Sequence, residues 1–311
     1  MKTIAALGAL MAAMTAHATS EGPNDKPWAD AVRAWEKDPS QTLEQVLPHL
    51  ASQLKADASV PELKKLWGNS IGFDEGAKAQ IIHDYILDDL EKTFGTHKEP
   101  RPVDSAGHRV AYAGLQHSYG YLLSNLDTAF GFKRARWVEG DIENGFGLEA
   151  RLLNDDHGTL MSNVTLVAGR IGFSKSPQRL KELDAVAQHA APTLRIFPAK
   201  PLQGKRLEES FTVGARQVVL LTDFVPFTSP QKNTKNGALL VYSVSDSQVD
   251  GGLPRLITAF PIELSFMQGA LDPAKLGKDQ PIVTRYNAFV PGVSGTSFKG
   301  SRTAQSNVYK H

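Results

Sequence analysis

The hydrophobic pattern of this chain changes at a short proline-bearing stretch, residues 99–102 (Glu-Pro-Arg-Pro). Before it, apolar residues recur at the 3.6-residue spacing of amphipathic helices, and beyond it they follow the two-residue period of strands. The prolines make a stiff connector between the two patterns. The change predicts an α+β protein, in which a helical part over residues 19–99 packs against a largely antiparallel, β-rich part over residues 104–311 that also contains a helix.

The first 18 residues have the features of a secretory signal peptide. Lys2 is followed by an uncharged apolar run of 11 residues, Ile4 to Met14, and then by Ala16-His17-Ala18, which fits an A-x-A cleavage site. The run is shorter than the roughly 18 residues that a membrane-spanning helix needs. We therefore expect cleavage after Ala18, no membrane span and a secreted or periplasmic product of 311 minus 18, or 293, residues.

Composition restricts the chemistry and the partners. The chain has no cysteine, which excludes disulfides, thiolate metal sites and a cysteine nucleophile. Residues 19–100 contain 9 basic and 15 acidic residues, and residues 101–311 contain 24 and 18, so the net charges are −6 and +6. The basic part suits a polar or anionic small molecule or a glycan, whereas the neutral total argues against a dedicated nucleic-acid-binding protein. The sequence does not determine the cofactor, the metal dependence or the oligomeric state.

Local signals place the helices. Residues 24–95 are predicted to be helical, with a capping box at Thr42 and Gln45 and with Pro48 kinking or dividing the helix that follows. A later helix is expected to begin with Ser176 as N-cap and Pro177 at its first position. The other helices with clear boundaries are expected at Pro61–Trp67 and Asp74–Gly95.

The remaining apolar runs predict an antiparallel meander. Two of its strands contain continuously apolar segments, so we expect them to be covered on both faces, one cover being the helix that begins at Ser176 and the other the N-terminal helices. The tail from Gly292 is rich in Gly, Ser and Thr and is expected to be loosely held. The predicted strands are Gln217–Phe224, Ala238–Val244, Leu256–Phe260 and Ile282–Val290.

Residues 133–153 predict a β-hairpin around Asn144-Gly145. A two-residue loop would place three carboxylates on the apolar face, at a cost of several kcal/mol, so we favour the three-residue loop 143–145. Ile142 and Phe146 then share the apolar face. The opposite, polar face carries Trp137, Glu139, Asp141, Glu149 and Arg151. A turn at residues 154–158 is expected to lead into another strand, which contains the glycosylation sequon Asn163-Val164-Thr165.

The polar face of this hairpin is one candidate site. Glu139 and Asp141 suit acid–base catalysis or coordination of a hard cation, and Trp137 suits stacking on a carbohydrate or nucleotide ring. Arg134, Arg136 and Arg151 would bind an anionic group of the substrate. The alternative for the same residues is a solvated sheet surface with weak ion pairs.

Two histidines are the other catalytic candidates. His108 and His117 are nine residues apart, a spacing that puts them on one face of neither a helix nor a strand, so they meet only if the chain reverses between them. The alternative is that both are structural. Short catalytic signatures such as H-E-x-x-H and G-x-S-x-G do not occur in the sequence.

These candidates leave three functions open. The leading hypothesis is an exported hydrolase or lyase that acts on a polar or anionic substrate, and its competitor is a non-enzymatic binding or interaction protein. A further alternative is a metal-independent ribonuclease. In that case a histidine such as His108 would act as base, arginines would stabilise the phosphorane, and Thr258 or Tyr286 would position it. The arginines considered for this role are Arg255 and Arg285.

Overall fold

A computed structural model describes these parts of the chain, to which every structural statement below refers: residues 37–38, 40–46, 48–68, 70–72, 111–113, 141–148, 160–189, 200–228, 237–283 and 297–310. The helices are α1 (Leu43–Val46), α2 (Pro48–Ala58), α3 (Pro61–Leu66), α4 (Asp141–Phe146), α5 (Leu160–Gly172), α6 (Pro177–His189) and α7 (Leu264–Ala270). The strands are β1 (Ser70–Gly72), β2 (Ala111–Ala113), β3 (Leu202–Val213), β4 (Arg216–Phe227), β5 (Gly237–Asp246), β6 (Arg255–Glu263), β7 (Gly277–Val283) and β8 (Ser297–Tyr309). Two 3₁₀ turns span Asp250–Gly252 and Pro273–Lys275.

Six of the strands form one antiparallel sheet in the order β6-β5-β4-β3-β8-β7, and β1 and β2 form a separate antiparallel pair. The β3–β4 hairpin closes on Gly214-Ala215, where Gly214 has a φ of 58°. Glycine adopts this left-handed conformation without steric cost. The predicted α+β fold class, with helices packed on an antiparallel sheet, is therefore confirmed.

The predicted strands agree with the sheet to different degrees. Three of them lie within β4, β5 and β6, whereas of Ile282–Val290 only the first two residues fall in β7 and the others lie outside the described residues. The expectation of a loosely held tail was wrong for residues 297–309, which form β8 between β3 and β7. Because backbone hydrogen bonds to two neighbours hold this strand, it does not need an apolar sequence.

The helix signals were more reliable. The backbone N–H of Thr42 donates to Oε1 of Gln45 at 2.7 Å, which is half of the predicted capping box. Pro48 divides the helix as expected, since α1 ends at Val46 and α2 begins at the proline. The helices predicted at Pro61 and Pro177 are present as α3 and α6. The helix predicted over Asp74–Gly95 lies outside the described residues.

The predicted strand around Asn163 is instead α5, a helix whose residues 161–169 are all buried. It contacts β4, β5 and β6, and α6 packs on α5 and α3. Close approach is possible because of two glycines: a Cβ on Gly169 would lie 2.7 Å from Leu183, and one on Gly172 would lie 3.2 Å from Val241. The helix predicted from Ser176, α6, therefore packs on the outer side of α5. The helix that covers the sheet is α5, and not α6 as predicted.

The described N-terminal helices share one hydrophobic core with the sheet. Trp67 forms a parallel bridge to Leu256 on β6, and the N–H of Gly68 donates to the carbonyl of Leu256 at 2.7 Å. The Trp67 indole also donates to Oγ1 of Thr165 in α5 at 2.9 Å. The boundary proposed between residues 99 and 104 lies outside the described residues and stays a prediction. Among the helices described, none has the length and apolarity to span a membrane.

A buried carboxylate from α2 caps the N-terminus of α5. The Asp57 side chain accepts hydrogen bonds from the N–H groups of Met161 and Ser162, both at 3.0 Å, and from the Ser162 hydroxyl at 2.8 Å. These two N–H groups belong to the first turn, where a helix offers no carbonyl partner, and the negative charge complements the helix dipole. Asp57 therefore couples the N-terminal helices to the helix that covers the sheet.

Replacing Asp57 with alanine should lower the free energy of unfolding by about 2 kcal/mol, the upper range for loss of a helix cap, because buried N–H groups lose their acceptor. Urea unfolding followed by far-UV circular dichroism measures this. Asp38 is the matched control: it caps Ser40 in an exposed turn, and Asp38→Ala should change stability by less than about 0.5 kcal/mol. Equal losses in the two variants would contradict the assigned role of Asp57.

Candidate functional site

Of the eight site residues predicted from the sequence, only Asp141 lies within the described residues, as the first residue of α4. The structure therefore brings none of the predicted residues together and separates none of them. The seven that lie outside it are His108, His117, Arg134, Arg136, Trp137, Glu139 and Arg151.

The predicted hairpin turn at Asn144-Gly145 was wrong, because residues 141–146 are helical. Gly147, with a φ of 67°, follows the helix, and the N–H of Leu148 bonds back to the carbonyl of Glu143 at 2.8 Å. This is the geometry of a glycine-terminated helix. Ile142 and Phe146 are both buried, as predicted, but because they are four residues apart on a helix.

The Gly145 position also requires glycine in the helix, since a Cβ there would lie 2.5 Å from the Cβ of Phe227 on β4. Phe146 packs edge-on against the same phenylalanine, with ring centroids 6.1 Å apart. The glycine that suggested a turn therefore allows close packing of α4 on the sheet.

The glycosylation sequon is inaccessible in this fold. Asn163 and Thr165 lie in α5 and are both buried, and the Thr165 hydroxyl donates to the carbonyl of Met161. A glycan could not be accommodated on Asn163 without displacing the core.

Deeply buried charges form a network of complementary contacts around Arg206 and Asp223. Arg206 on β3 donates to both carboxylate oxygens of Asp223 on β4, at 2.7 and 2.8 Å. Nη2 of Arg206 also lies 3.1 Å from the carbonyls of Ile171 and Gly172, at the C-terminus of α5. The Tyr309 hydroxyl donates to Asp223 from β8. These contacts join a helix end to three strands, so the network is structural.

The electrostatics of this network follow from its burial. Burial raises the pKa of Asp223, while the hydrogen bonds from Arg206 and Tyr309 counteract that rise. For Arg206, burial acts to lower the pKa, but the hydrogen bonds and charge of Asp223 outweigh it and the pKa is raised. Burial and the neighbouring carboxylate also raise the pKa of Tyr309, which keeps its hydroxyl protonated as a donor.

A second charge network lies where α3 and α6 meet the β5–β6 loop. The buried Arg179 guanidinium donates to the carbonyl of Pro254 at 2.7 Å, to Glu182 at 2.6 Å and to Asp250. Lys65 on α3 contacts the other oxygen of Glu182 at 2.6 Å. These alternating charges hold the N-terminal helices, α6 and the loop together.

Three carboxylates at this end of the sheet have lowered pKa values. Burial alone would raise the pKa of Glu182, Asp246 and Asp250, but hydrogen bonds from basic side chains outweigh burial in each case. Arg216 on β4 provides those bonds for Asp246, and Arg179 provides them for Asp250.

The ion pair between Glu209 and Arg302 differs from these networks because one carboxylate oxygen of Glu209 accepts no hydrogen bond. Glu209 on β3 and Arg302 on β8 are cross-strand neighbours, with Oε1 of Glu209 3.1 Å from Nε of Arg302. Both side chains are buried, at 2% and 8% exposure. Oε2 of Glu209 makes no hydrogen bond. Because strand side chains alternate between faces, this pair lies on the sheet face opposite Arg206.

Buried hydroxyls follow on the same face. Thr222, Tyr242 and Thr258 are direct neighbours across β4, β5 and β6, and all three are buried. The Thr258 hydroxyl makes no hydrogen bond, and the β5–β6 register shifts beside Tyr242. Register irregularities of this kind often re-aim side chains next to active sites. This face, with Glu209 and Arg302, is the candidate functional site.

The sequence did not point to this site. Neither β3 nor β8 was predicted, so Glu209 and Arg302 could not be recognised as neighbours. Of the residues considered for a ribonuclease, Thr258 is fully buried, Arg255 is half-buried beside Asp250, and the others lie outside the described residues. Thr258 therefore offers no exposed hydroxyl to an RNA phosphate in this structure.

The described residues contain no group of three or more acidic or histidine side chains arranged to hold a metal ion. Comparisons with protein-family models, with curated proteins and with solved structures find no match for this chain.

Replacing Asp223 with asparagine should cost about 3–5 kcal/mol of stability, because it leaves the Arg206 charge buried without a counter-charge. Urea unfolding measures the loss. Lys205 is the control, being the preceding residue on β3 but exposed on the other face; Lys205→Met should change stability by less than about 0.5 kcal/mol. A loss below about 1 kcal/mol in Asp223→Asn would show that the network is dispensable.

Acid should weaken the junction formed by Glu182, Asp246 and Asp250. Since their folded pKa values are lowered, their stabilisation is present above the unfolded value of about 4 and is lost as pH falls through the folded values. The urea midpoint at constant ionic strength should therefore fall below about pH 4. A Glu182→Gln/Asp250→Asn double variant should show a shallower fall, and an equally steep one would contradict the assignment.

Proposed function

We propose that this chain is an exported hydrolase or lyase that acts on a polar, anionic substrate at the face carrying Glu209 and Arg302. The observation that carries the proposal is the buried Glu209 carboxylate, which has one oxygen on Arg302 and the other without a donor. A buried polar atom without a partner is rare in folded proteins and requires an explanation, and a catalytic role is one such explanation.

The pair supplies two complementary roles. Arg302 would bind an anionic group of the substrate, as guanidinium groups do with carboxylates and phosphates. Glu209 would accept a proton through its second oxygen, as a general base for attack by water or for elimination.

A substrate would have to approach this pair from the β8 side of the sheet. Ala304 and Gly300 flank Arg302 on the same face and are half-buried, and Lys205 and Ser306 further along are exposed. Lys205 donates to Ser306 at 2.8 Å, which leaves a positive charge at this edge. Such a charge would attract an anionic substrate.

The residues predicted from the sequence remain part of the proposal. Glu139, Asp141, His108 and His117 stay candidates for acid–base catalysis, and Arg134, Arg136, Trp137 and Arg151 stay candidates for substrate binding. Export is proposed on the signal-peptide pattern alone, and N-terminal sequencing of the mature protein tests it: the first residue should be Thr19.

Glu209→Gln tests the catalytic proposal, with Glu208→Gln as its matched control. Glu208 is the preceding residue, half-buried on the opposite face. The panel is p-nitrophenyl acetate, phosphate and β-glucuronide, together with RNA in the presence of a chelator. Wild type should turn over at least one of them; Glu209→Gln should lower kcat by about 100-fold or more, and Glu208→Gln should leave it unchanged.

The contrary outcomes are distinct. Equal kcat values for wild type and a folded Glu209→Gln variant would exclude Glu209 as the base. Binding of the p-nitrophenyl phosphate, the β-glucuronide or RNA by calorimetry without turnover would replace the enzyme with a non-enzymatic binding protein. Loss of turnover in both variants would place the effect on strand packing.

A further inference from the structure

The six-stranded sheet is unevenly buried. In β6, β5 and β4, seven of nine, nine of ten and seven of twelve residues are buried. In β3, β8 and β7 the corresponding numbers are four of twelve, two of thirteen and one of seven. Because burial of side chains is the main stabilising contribution to a fold, the strands that are stabilised least are β8 and β7.

The two buried residues of β8 are Arg302 and Tyr309, and each contacts a carboxylate on another strand. Nε of Arg302 lies 3.1 Å from Oε1 of Glu209 on β3, and the Tyr309 hydroxyl donates to Asp223 on β4 at 2.5 Å. Since Arg302 and Tyr309 are seven residues apart in a strand, these contacts lie on opposite faces of the sheet. The buried side chains of β8 are thus attached to the sheet through two polar contacts, one on each face.

The edge strand β7 depends on β8 for its place in the sheet. Among the described strands, β8 is its only neighbour. The pairing is interrupted between Gly277 and Gln280, where Asp279 has a φ of 56°. An interruption of this kind disrupts the ladder of backbone hydrogen bonds locally. Separation of β8 from β3 would therefore release β7 together with it.

The rest of the fold is held by contacts that do not involve β8. Asp57 caps α5, the Trp67 indole donates to Thr165 in α5, and Arg206 contacts the C-terminal carbonyls of α5. Regions with few buried apolar contacts open at a lower free energy than the whole protein. We infer that β8 and β7 separate from β3 as one unit while β3, β4, β5, β6 and the helices stay folded.

The charges on β3 and β4 permit this opening. Asp223 keeps both hydrogen bonds from Arg206 when Tyr309 leaves, and Glu209 comes to lie at an edge strand that water reaches. Neither carboxylate is then buried without a partner, so opening avoids the largest electrostatic cost. The candidate site exists only in the closed form, because Arg302 leaves with β8. This effect on the site rests on the proposed function, whereas the opening itself does not.

Native-state hydrogen exchange of the full chain, at urea concentrations below the unfolding transition, measures the opening. The slowest backbone amides of β8 and β7 should exchange at least about tenfold faster than the slowest of β5. Their exchange should also depend less on urea, because opening exposes less surface than complete unfolding. Equal exchange free energies and equal urea dependence in all these strands would overturn the inference.

Two variants separate this opening from complete unfolding. Tyr309→Phe removes a contact that the open form lacks, so exchange should become faster in β8 and β5 by the same factor, about tenfold for a hydrogen bond to a charged group. Asp57→Ala removes a contact that the open form keeps, so exchange should become faster in β5 and stay unchanged in β8. Equal acceleration of β8 and β5 by Asp57→Ala would show that β8 opens only with the whole protein. These measurements do not depend on turnover at Glu209, so failure of the enzyme proposal is a separate result.

Discussion

The pairing of Arg206 with Asp223 is the interaction on which the described fold most depends. A guanidinium removed from water needs both a counter-charge and partners for its N–H groups. Asp223 supplies the charge, and the carbonyls of Ile171 and Gly172 supply further acceptors. The last carbonyls of a helix have no hydrogen-bond donor within the helix. The Arg206 side chain therefore satisfies these carbonyls and is itself supplied with acceptors. This contact between Arg206 and the C-terminal carbonyls of α5 fixes the position of α5 on the sheet.

The N-terminus of α5 is held by a negative charge, that of Asp57. Asp57 caps its N-terminus from α2, before it in the chain, and Arg206 caps its C-terminus from β3, after it. The signs suit the helix dipole, which is positive at the N-terminus and negative at the C-terminus. The described N-terminal helices therefore do more than cover the sheet, because they complete the helix that covers it. This explains why helix and strand residues share a single core.

Sequence patterns predicted helices with a proline boundary and strands with continuously apolar segments, and failed for the helix that is buried all round and for β3 and β8, whose apolar positions are interrupted by charged or polar residues. The run from Val164 to Ile171 is rich in apolar and β-branched residues, and periodicity cannot distinguish a strand from a helix buried all round. β3 was missed because Arg206 and Glu209 interrupt its apolar positions, on opposite faces. The candidate site was missed with it, since Glu209 and Arg302 are 93 residues apart in the chain and become neighbours only through strand pairing.

The two faces of β3 show how a structural charge pair differs from a candidate functional one. On one face, Arg206 and Asp223 make two short contacts with each other, and Tyr309 adds a further donor, so little remains for an external group. On the other face, Glu209 meets Arg302 through one oxygen and leaves the second without a donor. Burial is similar for both pairs, so burial does not separate the roles. The unfilled hydrogen-bonding capacity does, because only that capacity is available to bind a substrate or to take its proton.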